Sequence, residues 1–308
     1  LKTTAVTRDD LSRSVIAVPP LARHDDLSLN RAANEALIRH MEAGGVSTLL
    51  YGGNANLYHV GVNEYAGLLD FLSEAVSDDT WVIPSVGPDY GRAMDQAQIL
   101  KSRAFPTAML LPLSFPYTDA GLADGARRFT DALGKPAVMY VKTDGYLQPE
   151  ALQRLVEEGR VASVKYAVVR ADPAVDPYLR ALIAAIGTDL IVSGIGERPA
   201  ITHLRDFGLS GFTSGSVCIA PQGSTRMLAL LKEQRYSEAE AIRSRYLPLE
   251  DARDGINPIR VLHDAVSLSG IADMGPILPM LTNLDAAQKE QLRPVARQLL
   301  EADESLMV

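Results

Sequence analysis

The stretch VASVKYAVVR, residues 161–170, reads as a buried strand with one residue out of place. Its apolar run is the kind found in parallel strands covered on both faces. Lys165 stands inside that run, where an ammonium group is costly to desolvate. Two readings compete. The apolar run ends at the lysine, which snorkels to solvent from the strand end, or the lysine is held in a pocket with a lowered pKa, as amine nucleophiles that form Schiff bases require. The rest of the chain has to decide between them.

Similar runs recur on both sides: SVIAV from Ser14, STLLY from Ser47, WVIPSV from Trp81, TAMLLP from Thr107, PAVMY from Pro136, LIVSG from Leu190 and GFTSG from Gly211. Each is short, apolar and bounded by turn residues. Polar segments with helical spacing lie between them. The first carries Leu29, Ala33, Leu37, His40 and Met41 on one face and stops at Gly44-Gly45; others follow Asp95, Gly121, Pro149 and Pro199. Strand and helix in alternation mean a parallel sheet with crossovers. Eight such strands predict a (β/α)8 TIM barrel. The alternative, a doubly wound sheet, would carry Gly-x-Gly-x-x-Gly after its first strand when built for dinucleotides, and SVIAVPPLAR stands there instead. After residue 225 the pattern changes. Arg226 to Leu247 and Pro258 to Leu268 read as helical, MGPILPML interrupts, and a last amphipathic helix runs from Leu284 to Leu300. The expected organisation is a barrel over residues 1–225 carrying the active site, with a helical C-terminal extension over 226–308.

Composition narrows the function. With 308 residues, 47% hydrophobic and 22% charged, the chain reads as an ordinary globular protein. The net charge of −8 and the lack of any basic run make nucleic acid a poor partner. A single cysteine, Cys218, excludes an intrachain disulfide and a thiolate cluster, and five scattered histidines show no metal-ligand spacing. A metal enzyme is disfavoured. No apolar run has the length of a membrane span, and the N-terminus lacks a secretory pattern. The expected compartment is the cytoplasm, although a start at Leu1 leaves room for a leader ahead of it.

A barrel gathers its working residues at the C-terminal ends of the strands. Lys165 lies at that end of the sixth strand and Tyr140 at that end of the fifth. Adjacent strands are about 4.8 Å apart, so inward-pointing side chains at these positions meet. A phenol beside an amine can relay protons while the amine adds to a carbonyl and loses water to become an iminium.

Tyr140 in KPAVMYVK, Lys165 in VASVKYAV, then IVSGIGE, GFTSGSVCIAP, NPIRVL and GPILP, resemble the dihydrodipicolinate synthase and N-acetylneuraminate lyase family of Schiff-base aldolases, over essentially the full chain. The resemblance implies that Lys165 forms a Schiff base with pyruvate or another 2-oxo acid, that Tyr140 shuttles protons, and that the chain assembles as a homodimer or homotetramer. It implies no cofactor. Three departures stand out. Where the family shows Gly-Thr-Thr-Gly-Glu to hold the 2-oxo acid's carboxylate, this chain has Gly52-Gly53-Asn54-Ala55-Asn56. Backbone N–H groups and the Asn54 amide remain as receivers, or the glycine pair is plain turn chemistry. The family's Pro-Tyr-Tyr after the fourth strand is replaced by Pro112-Leu113-Ser114. The loop after Tyr140, VKTDGYL, lacks the arginine that grips aspartate semialdehyde in the lysine-pathway synthase.

The substrate-binding candidates are therefore Gly53, Asn54, Lys142, Gly194 and Thr213. Lys142, two residues past Tyr140, shares its face if the strand continues and would lower the Lys165 pKa or bind an acidic group; otherwise it is a rim lysine. Gly194 and Thr213 match positions where the family lines the pocket with backbone. Thr143, Asp144, Tyr166 and Ser193 are further polar candidates, and Tyr58 and His59 either reach a hydroxylated substrate or pack under their loop. His203 reads as structural and Asn257-Pro258 as a helix start. The expected activity is aldol cleavage, condensation or dehydration of a 2-oxo acid, a 2-oxo-3-deoxy sugar acid being the leading class. Two alternatives remain: a barrel that binds a small molecule or regulates without turnover, for which a pocket plugged by Leu113 or Tyr58 would argue, and a dihydrodipicolinate synthase with a rebuilt anchor.

Overall fold

The computed structural model of the chain describes residues 1–307. Eight strands alternate with helices along the barrel: β1 (Ile16–Ala17), α1 (Arg31–Ala43), β2 (Thr48–Tyr51), α2 (Val62–Ala75), β3 (Trp81–Val86), α3 (Tyr90–Lys101), β4 (Met109–Leu110), α4 (Asp119–Leu133), β5 (Ala137–Val141), α5 (Pro149–Glu157), β6 (Val161–Tyr166), α6 (Pro177–Ile186), β7 (Ile191–Ser193), α7 (Ala200–Asp206), β8 (Thr213–Ser214) and α8 (Pro221–Lys232). All strand pairings are parallel, β1 pairing with both β2 and β8. A parallel bridge from Ser193 to Phe212 joins β7 to the start of the last strand, so the sheet closes on itself. This is a (β/α)8 TIM barrel with C-terminal helices. Its strands are buried nearly throughout, because side chains on one face fill the barrel and those on the other meet the helices. That double burial makes the strands continuous apolar runs without a polar alternation.

Local chemistry sets the boundaries. Asn30, Asp89, Thr118 and Asp176 each cap a helix by accepting an N–H from its first turn. Leu37, Ile38 and Met41 form the buried face of α1, which ends at Gly44, followed by Gly45 at φ 89°. Beyond the barrel lie α9 (Tyr236–Gly255), α10 (Pro258–Ser269) and α11 (Ala286–Glu304). The single helix expected over Arg226–Leu247 is two, because the chain turns between α8 and α9 with Gln234 at φ 60°. Asn257 and Pro258 start α10, the Asn257 side chain accepting the Ile259 and Arg260 N–H groups. The middle helix of the extension, α9, packs against α8, α10 and α11. Glu250 on it accepts the N–H of Glu197, just beyond β7, at 2.9 Å. The extension thereby lies against the loops at the C-terminal ends of the last strands.

Candidate active site

β5 and β6 pair with Tyr140 opposite Lys165 and Val141 opposite Tyr166. Successive side chains on a strand point to opposite faces, so one pair faces into the barrel and the other out. The contacts of Tyr166 fix the phase. Its hydroxyl donates to Asp176 Oδ2, at the start of α6, at 2.6 Å. Its register partner on β7, Ser193, meets His203 Nδ1 on α7 at 2.8 Å. Both face the helices, which leaves Lys165 and Tyr140 facing the barrel interior.

Lys165 is 5% exposed, and its Nζ lies 4.3 Å from the centroid of the Tyr140 ring. Burial, and then the positive charges of Lys142 and Arg253, lower its pKa from 10.5 to about 7. A large share of this amine is therefore neutral at neutral pH, where an ordinary lysine is almost wholly protonated. The Tyr140 phenol is pushed upward by burial and by neighbouring Tyr58, with Arg253 opposing. It is protonated at neutral pH and available as a donor.

The remaining candidates separate into two groups. The Gly194 N–H donates to the Tyr166 carbonyl at 2.6 Å, and a Cβ at 194 would stand 2.7 Å from that oxygen and 3.0 Å from Lys165 Cγ. Only glycine allows β7 this approach to the lysine. Thr213 is buried in β8 and offers its carbonyl to the Gly196 N–H at 3.0 Å. In the turn after β2 the Gly53 carbonyl accepts the Asn56 N–H at 2.9 Å, and Asn54 Nδ2 donates to the Val18 carbonyl at 2.7 Å, tying this turn to the end of β1. A Cβ at Gly53 would make only an ordinary 3.7 Å contact with Tyr58, so crowding does not demand glycine there. Lys142 is exposed past the end of β5, yet close enough for its charge to act on Lys165.

Other candidates are engaged elsewhere. Asp144 pairs with Arg170 at 2.5 Å, and Tyr166 and Ser193 face the helices as described. His59 and Thr143 are exposed. His203 is buried among Tyr166, Phe207 and Ser193, and burial lowers its pKa to about 4, consistent with a structural role. Tyr58 stands beside Tyr140 and Tyr146, its own phenol pushed up to about 12 by burial. A cavity of about 820 Å³ lies between the ends of β4 and β5 and helix α4, walled by Leu113, Gly125, Phe129, Met139 and Val141 among others; Tyr140 borders it and Lys165 does not.

Sequence reasoning missed two features. Arg253, on the last turn of α9, reaches the site from the extension; its charge acts on Lys165, Tyr140 and Cys218. Glu197 and Glu250 form a buried carboxyl pair, both pushed upward by desolvation, with Ser224 Oγ donating to Glu197 at 2.5 Å. Neither gives a local signal. Among the described residues no cluster of His, Cys, Asp or Glu is arranged to hold a metal ion, and no helix is long and apolar enough to cross a membrane.

The model of the dihydrodipicolinate synthetase family matches residues 12–299. The chain belongs to this family. Among solved structures it is similar to dihydrodipicolinate synthase from Bacillus clausii, at 20% identity and TM-score 0.81 over 96% of this chain and 99% of that one. N-acetylneuraminate lyase from Fusobacterium nucleatum gives 16% identity and TM-score 0.80 over 94% and 99%. The pyruvate complex of the chloride-inhibited dihydrodipicolinate synthase from Acinetobacter baumannii gives 19% identity and TM-score 0.82 over 94% and 99%. These identities carry the fold and leave the substrate open. Among curated proteins, none matches the chain significantly in sequence.

Proposed function

We propose that this protein is a Schiff-base lyase acting on a 2-oxo acid, with Lys165 as nucleophile and Tyr140 as proton carrier. One observation carries the reading: an interior lysine with a pKa lowered to about 7, directly over the ring of a register-paired tyrosine. The neutral amine adds to the C2 carbonyl of the acid, Tyr140 supplies the proton with which the oxygen leaves as water, and an iminium remains. That iminium accepts the electron pair when the C3–C4 bond breaks, or stabilises the C3 carbanion from which a β-hydroxyl is expelled. Protonation and hydrolysis then free the lysine. The leading substrate class is a 2-oxo-3-deoxy sugar acid. Condensation with aspartate semialdehyde is disfavoured, because the loop after Tyr140 offers no arginine and nearby Arg170 is held by Asp144 and Asp176.

Borohydride trapping tests the proposal. The protein is incubated with pyruvate or with a panel of 2-oxo-3-deoxy sugar acids and reduced, and the intact mass and modified peptide are read, with Lys165→Met as control. An adduct on Lys165, absent from the variant, is the expected result, and the acid that labels fastest narrows the substrate. Folded protein that gives no adduct with any acid would refute the lyase reading and leave a barrel that binds without reacting.

A further inference from the structure

The site carries cations without an internal counter-charge. Lys165 is joined by Lys142 at the rim and Arg253 from α9. Among the described residues no carboxylate lies within 4.0 Å of the Arg253 guanidinium, whose Nε makes only a long 3.4 Å contact to the Pro258 carbonyl. Its acidic neighbours on α9 are engaged elsewhere. Asp251 and Asp254 pair with Arg198 at 2.5 Å and 3.4 Å, and Glu250, one turn earlier, is pushed toward its neutral form by burial beside Glu197. A half-buried guanidinium left this way favours an anion.

The Arg253 guanidinium approaches Gly215, the residue after β8. A Cβ at 215 would lie 2.9 Å from each of Arg253 Nη2, Asn54 Nδ2 and Leu262 Cδ2. The two nitrogens are therefore no more than about 5.8 Å apart (twice 2.9 Å), and a side chain at 215 would fill the gap between them. Carboxylate oxygens are about 2.2 Å apart and accept N–H at about 2.8 Å, so one carboxylate can bridge two such donors. Asn54 already gives one amide hydrogen to Val18, which orients the group and leaves the other free. Its turn stands where the sequence lacks the hydroxyl pair expected to hold a 2-oxo acid.

We infer that Arg253 and Asn54 together form the carboxylate anchor of the site, holding the C1 carboxylate of the 2-oxo acid so that its carbonyl faces Lys165. This rests on the Schiff-base reading for the carbonyl, but the anion contact stands on its own geometry. It assigns a binding residue to the helical extension. The same guanidinium opposes protonation of Lys165 while the site is empty, so anchor and nucleophile share one electrostatic source.

The test compares pyruvate with methyl pyruvate, which keeps the carbonyl and loses the charge. In the borohydride assay the wild type is expected to reach half-maximal labelling at a pyruvate concentration at least about tenfold below that for methyl pyruvate, as for a charge-assisted contact. Arg253→Gln should raise the pyruvate value by about tenfold or more while moving methyl pyruvate by less than about threefold, and Arg253→Lys should recover part of the difference. A change equal for both ligands, or none for either, overturns the anchor. A second measurement is independent of the covalent step. Pyruvate binding to Lys165→Met, followed by ligand-observed NMR, should persist and be lost in the Lys165→Met/Arg253→Gln double variant. That result supports the anchor even if no adduct forms on the wild type, in which case only the lyase reading fails; binding indifferent to Arg253 overturns the anchor.

Discussion

Replacing Lys165 by methionine should stabilise the protein, by an amount that shrinks as pH rises. The fall in the lysine pKa from 10.5 to about 7 corresponds to about 5 kcal/mol at about 1.4 kcal/mol per pH unit. Methionine fills nearly the volume of the lysine stem and leaves no sizeable cavity. It forfeits the contact of Nζ with the Tyr140 ring, worth about 2 kcal/mol when desolvated. The expected net gain at pH 6 is about 3 kcal/mol. The sign of the pH dependence follows from proton counts. The unfolded lysine keeps its proton up to 10.5 and the folded one releases it near 7, so in this window the unfolded state binds more protons. The Lys165 contribution to wild-type stability must then rise with pH, by up to about 1.4 kcal/mol per unit. The methionine variant lacks this dependence, and its advantage should shrink by about 2.7 kcal/mol, nearly all of it, between pH 6 and pH 9. Urea unfolding of both proteins across that range measures the difference. A variant no more stable than wild type at pH 6, or an advantage independent of pH, would show that the lysine stays charged and solvated, removing the basis for a neutral nucleophile.

Tyr140→Phe should leave Lys165 able to form an adduct slowly, while exchange of the pyruvate methyl protons with deuterium, followed by NMR, falls by roughly 10²- to 10³-fold, the usual weight of a positioned acid–base group. Asp176→Asn should destabilise the fold by about 2–4 kcal/mol without abolishing adduct formation; Asp176 holds the Tyr166 hydroxyl, Arg170 and the first turn of α6, all outside the barrel lumen, and chemical denaturation measures the loss. Glu250→Gln should remove a falling component from the pH dependence of stability: the raised carboxyl binds its proton more tightly in the folded state, so the contribution of this group falls as pH climbs above about 4.5, whereas glutamine has no proton to lose. Melting temperatures recorded from pH 4.5 to 8 check this, and parallel curves for the two proteins would contradict it.

The barrel was legible because its strands are covered on both faces and so appear as unbroken apolar runs at regular intervals. Even β1, β4 and β8, reduced to two residues each in the ladder, stand out through flanking residues buried with them. The break between α8 and α9 was not legible. It falls in KEQRY, residues 232–236, which contains neither glycine nor proline, and depends on Gln234 taking a left-handed conformation at φ 60°. A local reading sees one helix where tertiary packing makes two.

The proposed catalytic pair and the proposed anchor differ in legibility for a related reason. Tyr140 and Lys165 are fixed by period and register: adjacent strands, matching ends, one shared face. The same alternation also requires Tyr166, the residue after Lys165, to face outward, and Asp176 is its partner there. Asp144 could not be discounted in this way, because its engagement by Arg170 crosses between two loops. Arg253 is the extreme case. In sequence it sits in ARDG at the polar end of a helix, and only the packing of α9 over the loops after β7 and β8 brings it to Gly215 and Asn54. The two parts of the site are also constrained differently. A Schiff base needs a lysine at one depth beside one proton donor, and register supplies both. A carboxylate needs only two convergent donors, which any element reaching the mouth of the barrel can supply. On this reading the family's chemistry stays on β5 and β6 while recognition of the acid shifts to a loop amide and the helical extension. Specificity should therefore respond to changes in α9 that leave the barrel strands untouched.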